Sequence, residues 1–222
     1  MKPAWFAASF FGALFVAGGL LFAVYAPIFS GPPEEKADGK ALYARNCAAC
    51  HGATGTSLTA PDLSNDDFLV ITPHGTLEAM IAQGRPGRGM PAWSEAMRPV
   101  EIRAVAAYVK EWQRSPSVEL PQGRIRGDVE EGERLYASAC AACHGVSGGG
   151  GSAPALNNSA FLKVASDHFI RATVINGRPG TPMRSFLGPQ GLANLSHREI
   201  DSVVTYVRGW ESSEGRSRRA DR

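Results

Sequence analysis

Cys47-Ala48-Ala49-Cys50-His51 and, 93 residues later, Cys140-Ala141-Ala142-Cys143-His144 are two copies of one pentapeptide. They use all 4 cysteines of the chain. Cys-x-x-Cys-His is the attachment signature of c-type haem, in which two thiols bond the porphyrin vinyl groups and the histidine ligates iron. A methionine follows each copy at the same spacing, Met90 and then Met183, again 93 residues apart. A period this long in 222 residues describes a duplicated domain and not a solenoid. A domain of about 90 residues buries a limited core, so a large prosthetic group is expected to supply part of the apolar contact.

Charge excludes one class of partner. Residues 30–121 carry 9 Lys/Arg against 11 Asp/Glu, and residues 122–215 carry 9 of each. The net charge of +2 therefore resides in Lys2 and in the last 7 residues, which hold 4 Arg and 1 Asp. Nucleic-acid binding needs a basic face on a folded domain, and neither unit has one. The basic tail, residues 213–222, reads as a solvated, frayed end.

Ala4 to Phe29 is a run of 26 residues without a charge. As a helix it would span about 39 Å, against a bilayer core of about 30 Å. Trp5 and Tyr25 stand near its ends, where amphipathic aromatics favour the membrane interface. A cleaved signal peptide is the competing reading. The run is long for one, and the best small-residue cleavage position, Ala26, is followed by Pro27. Residues 1–30 are thus expected to be a retained single-pass anchor in a bacterial inner membrane, with everything after it in the periplasm. Residues 31–35, with Pro32 and Pro33, form a stiff tether.

Helical spacing surrounds each pentapeptide. Gly39, Tyr43 and Cys47 lie four apart, as do Gly132, Tyr136 and Cys140, so each trio shares a helix face. A glycine on that stripe allows a second helix to cross closely. The expected partner closes each unit: Ile102, Val105, Ala106 and Val109 in the first, Ile200, Val203, Val204 and Val207 in the second. Ser196-His197-Arg198-Glu199 fits a capping box at the start of the second closing helix.

These features resemble the class I cytochrome c family over about residues 36–114 and 127–211. The resemblance rests on glycine and tyrosine at eight and four residues before the first cysteine, the Cys-x-x-Cys-His itself, Pro61-x-Leu63 and Pro154-x-Leu156, and the late methionine. It implies an all-α fold: an N-terminal transmembrane helix and two tandem cytochrome c domains, 36–114 and 126–212, joined by a linker at 115–125. It implies two covalently attached haem c groups, on Cys47 and Cys50 and on Cys140 and Cys143. His51 and His144 become proximal iron ligands, and the backbone carbonyls of Pro61 and Pro154 are the family's candidates for orienting them.

The distal ligand is chosen by register. Met183 is the only methionine of the second unit, and Gly84-Arg85-Pro86-Gly87 matches Gly177-Arg178-Pro179-Gly180 at the same offset, which selects Met90 over Met80 and Met97. Beyond that the repeat slips, because Trp112 corresponds to Trp210, 98 residues on. Five residues are thus inserted around Gly188–Leu195, as a surface loop or a recognition element for a partner. Trp93 and its counterpart Phe186 are expected to pack near the haem edge. His74, His168 and His197 read as surface or capping residues. Arg85 and Arg178 read equally as partners of haem propionates or as solvated turn residues.

Zinc requires four ligands from segments 93 residues apart, a thioredoxin-like pair lacks its βαβ context, and a disulfide across two residues closes a negligible loop. His/Met ligation fills both axial positions and favours electron transfer, whereas an enzyme such as a dihaem cytochrome c peroxidase, the alternative, needs an open one. The anchor and paired domains are similar to cytochrome c4 and to the two-haem subunit of cbb3-type oxidases. That similarity implies a periplasmic relay of single electrons, more an electron-transfer protein than an enzyme in itself. Expected donors are a quinol-oxidising complex or a dehydrogenase; expected acceptors are an oxidase, a reaction centre or a soluble cytochrome.

Overall fold

The structure is a computed structural model that describes residues 37–57, 59–85 and 89–220, with side chains up to residue 211. The expected anchor and tether, residues 1–35, lie outside the described residues. Among the described residues the secondary structure is helical, with three isolated β-bridges, and no helix is long and apolar enough to cross a membrane.

The first half runs α1 (Gly39–Asn46), α2 (Ala48–His51), α3 (Asp66–Val70), α4 (His74–Gln83), a 3-10 turn (Trp93–Glu95) and α5 (Pro99–Lys110). The second repeats the order as α6 (Val129–Ala139), α7 (Ala141–His144), α8 (Ser159–Val164), α9 (Asp167–Asn176) and α10 (His197–Ala220). Side-chain caps open most of these helices: Asp38, Asn65, Asp128, Asn158 and Ser166 each accept from the N–H three residues on. Ser196 and Glu199 form the expected capping box, with Ser196 N–H donating to Glu199 at 2.7 Å and Glu199 N–H donating back at 3.3 Å.

In each half the first helix crosses the last at the anticipated glycine. A Cβ on Gly39 would lie 2.0 Å from the carbonyl oxygen of Ala104, and one on Gly132 would lie 2.1 Å from that of Ser202. Backbones this close leave room only for hydrogen. Below the crossings, Tyr43, Tyr108 and Trp112 stack at centroid distances of 5.1–5.5 Å, and Tyr136, Tyr206 and Trp210 at 5.1–5.6 Å. The apolar stripes expected on α5 and α10 are the buried faces of those helices.

A long cation closes each half. Lys110 donates to the carbonyls of Leu69 (2.7 Å) and Thr72 (3.0 Å) at the end of α3. Arg208 donates to those of Leu162 (2.5 Å) and Ala165 at the end of α8, and pairs with Asp167 at 2.7 Å. Carbonyls at a helix C-terminus lack the full set of amide partners found inside it, and the cations supply further donors there. The pairing of Lys110 with Arg208 obeys the offset of 98, so the insertion has occurred between them. The inserted loop is closed by Gly188 N–H to Leu195 O (2.9 Å) and Leu195 N–H to Phe186 O (2.8 Å), which leaves Leu192 exposed.

The halves pack on each other, with α4 against α8. Ile71 belongs to the apolar core of the second half, and Phe68, Val70 and Met80 border it. Residues 115–125 are fastened along their length. Asp66 accepts from the N–H of Arg114 (2.7 Å) and from both the N–H and hydroxyl of Ser115; Val118 N–H donates to Val70 O (2.9 Å), and Ile125 N–H to Asp167 (2.8 Å). One expectation is corrected at the C-terminus, where α10 continues as helix to Ala220 instead of fraying after residue 212. Glu211–Ala220 has no proline, and its one glycine costs about 1 kcal/mol in a helix.

Candidate haem sites

Each pentapeptide forms the bend between two helices. Cys47 ends α1, donating its N–H to Tyr43 O at 2.9 Å, and the short α2 carries Cys50 and His51 one turn on. Cys140, Cys143 and His144 sit identically between α6 and α7. His51 Nδ1 lies 3.0 Å from Pro61 O, and His144 Nδ1 lies 2.8 Å from Pro154 O. A carbonyl only accepts, so Nδ1 of both rings carries the hydrogen and Nε2 keeps its lone pair. Both imidazoles are thereby oriented in the tautomer that leaves Nε2 free to ligate a metal. Tyr43 and Tyr136 hold the other side of the bend, their hydroxyls donating at 2.8 Å to Gly52 O and Gly145 O. Burial foremost, then the neighbouring Cys47 or Cys140, pushes these phenols up to about 12, so they remain donors.

The donor set suits haem c and not zinc. Burial, and secondarily the paired Cys50 or Cys143, raises Cys47 and Cys140 to about 11, so both are protonated thiols in the free polypeptide. Among the described residues no group of three or more His, Cys, Asp or Glu side chains converges, so the two motifs stay separate. Each offers two unpaired thiols and a fixed imidazole, the three functions that covalent haem attachment uses.

Met90 and Met183 end matching loops. Arg85 N–H donates to Met90 O at 2.8 Å, and Arg178 N–H donates to Met183 O at 2.5 Å. Met183 N–H also donates to Thr181 Oγ1 at 3.1 Å. Both methionines are half-buried, and Met183 borders the same apolar cluster as Cys140. Met97 is 8% exposed, a core residue of the first half. Met80 faces the junction between the halves. Phe186 is buried and Trp93 half-buried, each against its own core. His74 pairs with Glu78 at 2.7 Å on the surface, and His197 opens α10.

Sequence reasoning left the surroundings of Arg85 and Arg178 undecided. Neither is a solvated turn. Burial lowers both guanidinium pKa values to about 10, although Asp67 counteracts it for Arg178. The guanidinium of Arg85 lies 4.4 Å from the ring centre of Phe161, and that of Arg178 lies 5.1 Å from Phe68. The signal was present, since Asn65-x-x-Phe68 recurs as Asn158-x-x-Phe161 at the common offset of 93.

Comparison with known proteins agrees with this geometry. The family model described as cytochrome c oxidase, cbb3-type, subunit III matches twice, over residues 34–109 and 127–207. The cbb3-type cytochrome c oxidase subunit FixP of Bradyrhizobium sp. is 30% identical over 188 residues, covering 78% of this chain and 60% of its own length. The chain thus spans about three-fifths of that relative. The cytochrome bc1 complex cytochrome c subunit of Mycobacterium bovis is 29% identical, covering 88% of this chain and 72% of its own. Among solved structures, a chain of the reducing HAO-like protein complex of Kuenenia stuttgartiensis superposes with a TM-score of 0.52 at 21% identity, over 81% of this chain and 98% of that one, a likeness of fold. Two repeats of the model, each centred on a fixed Cys-x-x-Cys-His, establish that the chain belongs to the family of cbb3-type cytochrome c oxidase subunit III, c-type cytochromes with covalently attached haem, here two.

Proposed function

We propose that this protein relays single electrons between two haems on the periplasmic side of a bacterial inner membrane, as the cytochrome subunit of a respiratory complex. The observation that carries the reading is the pair of identical ligand cradles, each with its Nδ1-locked histidine and a methionine-bearing loop, inside one packed body. Haem c supplies a one-electron iron couple, and His/Met ligation raises its potential while leaving no open position for substrate. The chain's own residues do the rest. Cys47, Cys50, Cys140 and Cys143 fix the porphyrins, His51 and His144 present Nε2, and Met90 and Met183 complete the coordination.

A fastened linker favours transfer between haems at constant separation over large domain excursions. The charge-free run Ala4–Phe29 is the membrane anchor of this proposal. A quinol-oxidising complex is the proposed donor and a terminal oxidase the proposed acceptor, in keeping with relatives named for both kinds of assembly.

Two measurements test the reading. Met183→Ala is expected to leave both haems attached while removing the Met–iron charge-transfer band of one and lowering its potential. An unchanged band would reject Met183 as ligand. Purification in mild detergent with identification of co-purifying subunits is expected to recover a quinol-oxidising or oxidase complex. Recovery of the chain alone from membranes would point instead to a free-standing carrier.

A further inference from the structure

We propose that Arg85 and Arg178 are reciprocal junction charges, each rooted in the methionine loop of one domain and set over an aromatic ring of the other, and that they couple the potentials of the two haems. The proposal rests on the haem reading above for what is coupled, and on the junction itself for how.

Each arginine has one end in its own ligand loop. The backbone N–H of Arg85 closes the loop on Met90, and that of Arg178 closes the loop on Met183. The side chains then enter the junction, that of Arg85 on residues of the opposite domain and that of Arg178 between residues of both. Arg85 stacks on Phe161 at 4.4 Å, and its Nη1 donates to Ala155 O at 3.4 Å. Ala155 follows Pro154, whose carbonyl receives the Nδ1 hydrogen of His144. A single cation therefore touches the strand of chain that orients the second histidine and the loop that presents the first methionine. Arg178 makes the return crossing. It lies over Phe68 at 5.1 Å and Phe169 at 5.9 Å, with Nη2 donating to Thr173 Oγ1 at 3.0 Å, while Phe68 and Phe169 meet edge to face at 6.3 Å. Asn65 of the first domain holds the loop just beyond, donating to Pro179 O at 3.0 Å.

These placements would be costly if they served packing alone. A guanidinium taken from water needs compensation, and an aromatic ring beneath it returns only part of that cost. Arg178 Nη1 is buried without a hydrogen-bond partner among the described residues. A buried donor left open is destabilising. It is suited to an acceptor that the described residues do not provide, such as a haem carboxylate. A positive charge held in low dielectric would stabilise the reduced, less positive form of an iron on either side, and both methionine loops reach this junction through their arginines.

The test is a redox titration of the full-length, haem-loaded protein carrying Arg85→Gln, Arg178→Gln, Arg85→Lys or Arg178→Lys. Each Gln variant is expected to lower the potentials of both couples, changing the oxidised-to-reduced ratio at fixed ambient potential about tenfold, which is about 59 mV for one electron. The Lys variants, which keep the charge and lose the planar stack, are expected to stay near the parent. A shift confined to one couple, or Lys variants as low as Gln, would overturn the coupling and leave a local packing role. Haem stoichiometry and Met–iron bands on the same samples report separately on the ligand reading. Absence of the Met–iron bands alone in the parent would remove the methionine assignment without touching the arginine result.

Discussion

Cys140→Ala combined with Cys143→Ala is expected to halve the haem recovered per chain. Each domain carries its own pair of thiols, and no cysteine exists elsewhere to rescue the lost bonds. His144 would keep its Pro154 partner in the variant, so a loosely bound porphyrin could still find one axial ligand. Denaturing extraction separates the two cases, because only thioether-bound haem stays with the polypeptide. The intact mass should fall by one haem beyond the two sulfur atoms that the substitutions themselves remove. An unaltered haem-to-protein ratio would mean that the second motif is not an attachment site. A ratio near zero would mean that the domains mature together.

Gly132→Val is the second change with a large consequence. On an open helix surface, replacing glycine with a larger residue gains up to about 1 kcal/mol from helix propensity. At Gly132 the first added carbon would lie 2.1 Å from the backbone oxygen of Ser202, inside any tolerable contact. The neighbour is main chain and cannot rotate away, so α6 and α10 must part. Asp128 N–H and the Ser202 hydroxyl, 3.1 Å apart beside the crossing, would separate with them, as would the stacked Tyr136 and Tyr206. The expected cost is about 2 kcal/mol or more, a melting temperature lower by about 4–8 °C for a body of this size. Gly209→Ala is the control. It lies on the same helix α10, exposed, with open space where the methyl would go, and should be neutral or slightly stabilising. Equal destabilisation of both variants would show that helix propensity, and not the crossing, sets the effect.

Much of this was legible before any coordinates, for a physical reason. Residues that bond haem or cross helices at van der Waals contact tolerate few alternatives, and duplication shows each of them twice. Gly39 and Gly132 announced the crossings, Ser196 and Glu199 the cap, and Trp112 and Trp210 the insertion. Pro61 and Pro154 came from likeness to the family, since nothing in a proline's spacing says that its carbonyl faces an imidazole. The junction was less accessible. Arg85 reads alike in a turn and on a ring, and its meaning depends on Phe161, which lies 76 residues away. The length of α10 escaped for the opposite reason: a run of charges and serines suits a helix and a frayed end about equally.

The crossed arginines also bear on how such a protein could arise. Phe68 with Arg178, and Phe161 with Arg85, are the same kind of contact made twice, once in each direction across the junction. Contacts of that kind are self-complementary, so one domain bearing the ancestral asparagine, phenylalanine and arginine already holds both halves of the joint. A single-haem ancestor could have paired with its own twin before any tandem duplication. Fusion through an 11-residue connector would then have turned a concentration-dependent encounter into a permanent one, by raising the effective concentration of each half to the millimolar range. Once joined, the halves were free to differ, and Lys110 against Arg208 together with the five added residues of the second half record that divergence.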